Sequence, residues 1–108
     1  MKLSSKERNY LRKLAHDIEP VVRIGKQGVN ETVLDSINKA ITKQELIKIK
    51  ILSNSDEIIT RDLQKEIEEY AKCVAVYDIG HTMIFFKENK KGKITSDFLE
   101  FRKRNRNG

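Results

Sequence analysis

From Ile47 to Ile51 the chain alternates strictly between isoleucine and lysine: Ile47, Lys48, Ile49, Lys50, Ile51. A period of two belongs to a strand, because successive side chains leave opposite faces of the backbone. The three isoleucines therefore share one face and the two lysines the other. Such a strand needs neighbours in a sheet and an apolar cover over its isoleucines. The flanking segments supply the cover. Upstream, Val33, Leu34, Ile37, Ala40 and Ile41 fall on one helical face, and Asn30 is placed to cap it. Downstream, Ile59, Leu63, Ile67 and Tyr70 recur with the same period.

The remaining segments complete the pattern. Ser4 and Glu7 have the spacing of a capping box, and Tyr10, Leu11, Leu14 and Ala15 follow at helical spacing. This predicts a first helix over about 5–16, whose other face holds Lys6, Arg8, Arg12 and Lys13. After Pro20, Val21 to Ile24 reads as a strand. The second helix is expected over about 31–43, the second strand over 45–52 and the third helix over about 56–72, after a Ser53-Asn54-Ser55 turn. Strands over 73–79 and 82–87 flank Gly80-His81, a two-residue loop with glycine first, which suits a type II′ hairpin. The order is αβαβαββ. Helical crossovers imply parallel pairing and the hairpin is antiparallel, so the expected fold is α/β with a four-stranded mixed sheet and three helices.

Length and composition agree with this. One hundred and eight residues make a single core. Apolar residues at 38% and charged residues at 35% suit a small, highly charged domain better than a disordered chain. A lone cysteine, Cys73, in the run Cys73-Val74-Ala75-Val76, excludes an internal disulfide and reads as a buried structural thiol. No stretch reaches the roughly 20 apolar residues of a membrane span, and the N-terminus lacks a signal peptide's apolar region, so a cytoplasmic location is expected. The net charge of +6 is uneven. Residues 1–86 hold 14 Lys and Arg against 13 Asp and Glu, whereas 87–108 hold 8 against 3. Residues 89–108 read as a basic tail, disordered or folded into a short helix over Asp97–Arg104 around Phe98, Leu99 and Phe101.

Between the first strand and the second helix lies Gly25-Lys26-Gln27-Gly28. Two glycines permit positive φ and let a foreign backbone approach, and the following helix points free N–H groups toward the loop. Lys26 adds a full charge, and phosphate suits the combination. KH domains clamp a nucleic-acid backbone with a GxxG loop, although theirs joins two helices. A tight turn without a ligand accounts for these four residues equally well on the motif alone. The basic face of the first helix, with Arg23, Lys48 and Lys50, favours nucleic acid. The loop matches neither GxxxxGK with Ser or Thr nor GxGxxG, so no nucleotide cofactor is expected. His16 and His81 fall at a helix end and a hairpin tip, unpaired with Cys73 or a carboxylate, so neither an enzyme nor a metal site is expected.

Taken in order, these residues resemble a known family. Leu14-Ala15-His16, Pro20 before Val21-Val22, Gly25-Lys26-Gln27-Gly28-Val29, Glu45 to Ile51 and Ile79-Gly80-His81-Thr82 together look like the CRM domain, the chloroplast RNA splicing and ribosome maturation domain, in its stand-alone bacterial YhbY-like form. The resemblance spans about residues 2–88, so 1–88 is expected to be the RNA-binding domain. It implies a fold similar to the C-terminal domain of translation initiation factor three. It also implies RNA binding through the GxxG loop, here Gly25, Lys26, Gln27 and Gly28, and association with precursors of the large ribosomal subunit. From this sequence itself, Arg12, Lys13 and Lys48 are the basic residues expected to assist. The expected partners are large-subunit rRNA or its precursor and the ribosomal particle, met by a monomer. A protein-interaction adaptor on ribosomal or other assemblies is the alternative. Nothing in the resemblance transfers to the basic tail.

Overall fold

A computed structural model describes residues 2–105; Met1 and residues 106–108 of the expected tail lie outside the described residues. The element order is α1 (Ser5–Ala15), β1 (Pro20–Ile24), α2 (Glu31–Gln44), β2 (Leu46–Ile51), α3 (Arg61–Ala71), β3 (Val74–Ile79), β4 (Thr82–Phe86) and α4 (Lys93–Arg104). The sheet is mixed, as expected, with strand order β1-β2-β4-β3. β1 runs parallel to β2, and β4 pairs antiparallel with both β2 and β3. The hairpin strand β4 is thus inserted between the two strands that α3 connects.

Local signals start and stop the helices. At α1 the Glu7 N–H donates to Ser4 Oγ at 3.1 Å and the Ser4 N–H donates to Glu7 Oε1 at 2.8 Å, a complete capping box. Asn30 caps α2 by accepting the Val33 N–H at 3.0 Å. α2 ends at Glu45, whose φ of 70° breaks the helix, so β2 begins one residue later than the sequence suggested. Gly80 carries a φ of 58° while His81 does not turn positive, the pattern of a type II′ hairpin.

Two expectations are corrected. The third helix starts at Arg61, not near 56, because Thr60 is its N-cap and accepts the Leu63 N–H at 3.1 Å. Residues 55–60 are an irregular connection in which Ile59 still packs on the core. Among the described residues there are also four helices: the three expected and a C-terminal one, which the sequence left open as one option for the tail. α4 begins a turn before Asp97 and is docked, with Phe98 fully buried. Burying a phenylalanine contributes about 1.5–3 kcal/mol. Tyr10 and Phe101 stack beside it at 4.4 Å between ring centroids.

α2 and α3 cover one sheet face, burying Ile24, Ile47, Ile49, Met83 and Phe85. The isoleucine side of β2 is therefore the inner face of the larger core. α1 and α4 cover part of the other face, over Leu46, Val76, Ile84 and Phe86. Arg8 fastens α1 there. Its Nη1 donates to the Ala75 and Val76 carbonyls at 3.2 and 2.8 Å, where the β3 register shifts. The rest of this face, which carries Lys48 and Lys50, is left open.

Candidate functional site

The Gly25–Gly28 loop is a tight turn that closes on itself, the Gly28 N–H donating to the Gly25 carbonyl at 3.0 Å. Lys26 and Gln27 form its exposed tip. The two glycines are glycines for different reasons. Gly28 sits at φ +69°, where an L side chain is strained. Gly25 is not in that region. A Cβ placed on it would make ordinary contacts with Asn54 at 3.6 Å and Leu52 at 3.8 Å. The fold thus needs glycine at 28, while nothing among the described residues needs it at 25.

The sequence reading had free N–H groups at the start of α2 pointing toward the loop. The structure spends the Gly28 N–H within the turn, and Glu57 Oε2 accepts the next one, the Val29 N–H, at 2.8 Å. Glu57 belongs to the irregular connection before α3, 28 residues away. Its carboxylate braces the back of the loop and puts a negative charge beside Gly28. An incoming anion is left the tip, with the Lys26 ammonium.

The other candidates meet on the open sheet face. Arg12 and Lys13 of α1, with His16, Lys48 and Lys50, line a groove of about 870 Å³ between the end of α1 and the strands. The Arg12 guanidinium lies 4.9 Å from the centre of the Tyr77 ring, a cation–π contact that holds it at the groove. Lys48 Nζ donates to the His16 carbonyl at 3.1 Å. It thus serves the C-terminal end of α1, where a cation is favoured, as well as the groove. Arg8, on the same basic face of α1, is spent on the β3 carbonyls and is structural.

The loop leaves the sheet at the end of β1 beside Lys50: Arg23 pairs with Lys50 across β1 and β2, and Gly25 follows two residues later. Sequence reasoning missed Tyr77, Ile79 and Thr82 in the groove, because only the β3–β4 register brings them beside Lys48 and Lys50.

Elsewhere, Cys73 is half-buried, and burial foremost, with the Glu68 charge next, pushes its thiol up to about 12. It is therefore a protonated packing group at neutral pH. Among the described residues no three His, Cys, Asp or Glu side chains gather as a metal site would require. No helix among them is long and apolar enough to cross a membrane.

The chain is similar to known proteins. The family model of the CRS1 / YhbY (CRM) domain matches residues 3–87. The chain is 33% identical over 91 residues to the "Probable RNA-binding protein YqeI" of Bacillus subtilis, covering 84% of this chain and 94% of that one. It is 34% identical over 92 residues to a Haemophilus influenzae protein named "RNA-binding protein", covering 85% and 92%. The solution structure of a Staphylococcus aureus protein superposes with a TM-score of 0.63 at 34% identity, covering 86% of this chain and 96% of that one. With the family model matching most of its length and relatives above 30% identity matched nearly end to end, the chain belongs to the CRS1 / YhbY (CRM) domain family.

Proposed function

We propose that this chain is a non-catalytic RNA-binding protein that acts in assembly of the large ribosomal subunit, in the cytoplasm and as a monomer. The Gly25–Gly28 loop holds the sugar–phosphate backbone of an rRNA precursor, with Lys26 pairing to phosphate. Arg12, Lys13 and Lys48 add electrostatic affinity from the groove. The RNA contacts lie within residues 1–88, and α4 supports them by completing the second core.

One observation carries the reading. Gly25 lacks a side chain that its own surroundings would accommodate, beside an exposed lysine at the tip of a braced turn. A missing Cβ that serves no internal packing serves close approach from outside. The relatives named for RNA binding support the choice of partner. The ribosomal assignment rests on the family resemblance. Because backbone contacts position rather than specify, base selectivity at the loop itself is modest.

Replacing Lys26→Glu and Gln27→Glu together tests the loop, since both tip positions become repulsive while both glycines remain. RNA affinity should collapse in a variant whose thermal transition is unchanged; unchanged affinity would remove the loop from the reading. Cross-linking in cells tests the partner: recovered RNA should be enriched in large-subunit rRNA precursor. A diffuse messenger profile would refute the ribosomal role. Capture of ribosomal proteins that survives ribonuclease treatment would favour a protein adaptor instead.

A further inference from the structure

Among the described residues, part of the α1 side of the sheet has no helix over it. The register sets Arg23, Lys50, Thr82 and Ile79 side by side across all four strands. Ile79 is 64% exposed. It lines the groove with Tyr77, whose ring lies under the Arg12 guanidinium. A surface that only gathered phosphates would need cations alone. Here the cations surround an apolar strip inside a concavity of about 870 Å³, within the size range of pockets that enclose a small ligand.

We propose that this half-open face seats unpaired RNA bases, so that the protein selects single-stranded segments. This deepens the RNA-binding reading above and rests on it. A base offers a flat face that packs on aromatic and aliphatic side chains, and a polar edge for hydrogen bonding. Ile79 and Tyr77 supply the packing surface, and the Thr82 hydroxyl can donate to or accept from a base edge. Asp17 and Glu19 also line the groove. Two carboxylates repel phosphate but accept hydrogen bonds from exocyclic amino groups, so they suit base edges. Lys50 and Arg23 stand on the side toward the loop, where the backbone leaves for Lys26. A duplex cannot use such a floor, because its bases are stacked on one another and offer no free face to pack on it.

The test is a nuclear magnetic resonance titration of the intact chain with four probes. These are an eight-nucleotide cytidine–uridine repeat, an abasic oligomer of equal length, an eight-base-pair RNA duplex and octaglutamate. The single strand should shift the Ile79 δ-methyl and Thr82 amide signals together with the Lys26 and Gln27 amides. The abasic oligomer and the duplex should shift the loop amides without moving Ile79 and Thr82, and octaglutamate should leave Ile79 unmoved. Ile79→Ser, at an exposed position, should weaken single-strand binding roughly three- to ten-fold and leave abasic binding unchanged. If the single strand moves the loop but not Ile79 and Thr82, or the Ile79 variant binds it as tightly, the base seat is wrong while RNA binding stands. An equal response of Ile79 to octaglutamate would make the groove a peptide site and overturn the proposal. If no RNA moves any signal, the RNA-binding reading itself fails.

Discussion

Glu45 reaches Thr95, 50 residues further along the chain, and its Oε1 accepts the Thr95 N–H at 2.6 Å. Both residues are buried. Gly92, the N-cap of α4, has no side chain to satisfy the first turn, so a carboxylate from the end of α2 does so. A negative group is favoured there because a helix N-terminus presents unpaired N–H groups. The Glu45 carbonyl also accepts the Lys87 N–H at 2.7 Å, so one residue joins the ends of α2 and β4 to the start of α4.

Gly92→Ala tests this junction. The added Cβ would clash with the Glu45 carboxyl group, so the carboxylate must move and leave the Thr95 N–H without its acceptor. The expected cost is about 1–3 kcal/mol, a fall in Tm of roughly 4–8 °C for each kcal/mol. Glu45→Ala should cost a similar amount by itself. Combined, the two should cost less than their sum, since the alanine at 45 removes the clash. Thermal denaturation of the four proteins in the cycle measures this; strict additivity would mean that the two sites are independent.

The two loop glycines should behave differently. Gly28→Ala places a side chain at φ +69° and 3.0 Å from Glu57 Oε2, so it should destabilise the fold by about 1–2 kcal/mol. Gly25→Ala meets only ordinary contacts and should change stability by less than about 0.5 kcal/mol. On the proposed reading Gly25→Ala nevertheless weakens RNA binding, because its methyl group stands where the backbone approaches. Urea denaturation and fluorescence anisotropy with a labelled single strand separate the two effects. Full affinity in Gly25→Ala would show that the ligand does not pass close to that residue.

How much of this could be read from the sequence depends on how far apart the interacting residues lie. The capping box of α1 and the alternation in β2 are local, and both element types and the basic groove residues followed from them. α4 was underestimated because its burial rests chiefly on Phe98 and its cap is Glu45, far upstream. The start of α3 was misplaced because Ile59 keeps a helical phase with Leu63 while standing outside the helix, and the cap is Thr60. In the candidate site, Lys26 and Gln27 were legible from the glycines that flank them. Glu57 was not, since nothing local marks a carboxylate that acts on Val29. Tyr77, Ile79 and Thr82 needed the strand register.

Salt should reveal how many phosphates the surface meets. With about four contacts, and a logarithmic slope near −0.7 for each, single-strand affinity should fall roughly fifty-fold between 50 and 200 mM salt. Lys26→Gln should lower the slope by about one contact and leave the rest. Anisotropy titrations at several salt concentrations give the slope, and a salt-independent affinity would contradict a phosphate-binding surface.

Glu7 gives the fold an acid-sensitive contact. The Arg102 Nε donates to its Oε2 at 2.6 Å, tying α4 to α1. This hydrogen bond, foremost, holds the Glu7 carboxyl below its usual 4.5, against the opposing effect of burial. A carboxyl whose folded pKa is depressed stabilises the fold fully above its unfolded value. That stabilisation is lost as pH falls through the lower, folded value. Arg102→Gln removes the cause of the shift. The stability gap between the parent and this variant should therefore be largest near neutral pH and narrow below about pH 4.5, with the ion pair itself on the order of 1 kcal/mol. A remainder should persist in acid, because the Arg102 guanidinium also lies 4.9 Å from the centre of the Phe98 ring, a contact that does not depend on Glu7. Urea denaturation of both proteins at pH 7, 5 and 3 measures the gap. A gap constant across that range would mean that Arg102 stabilises α4 by packing alone and that the pairing with Glu7 contributes nothing.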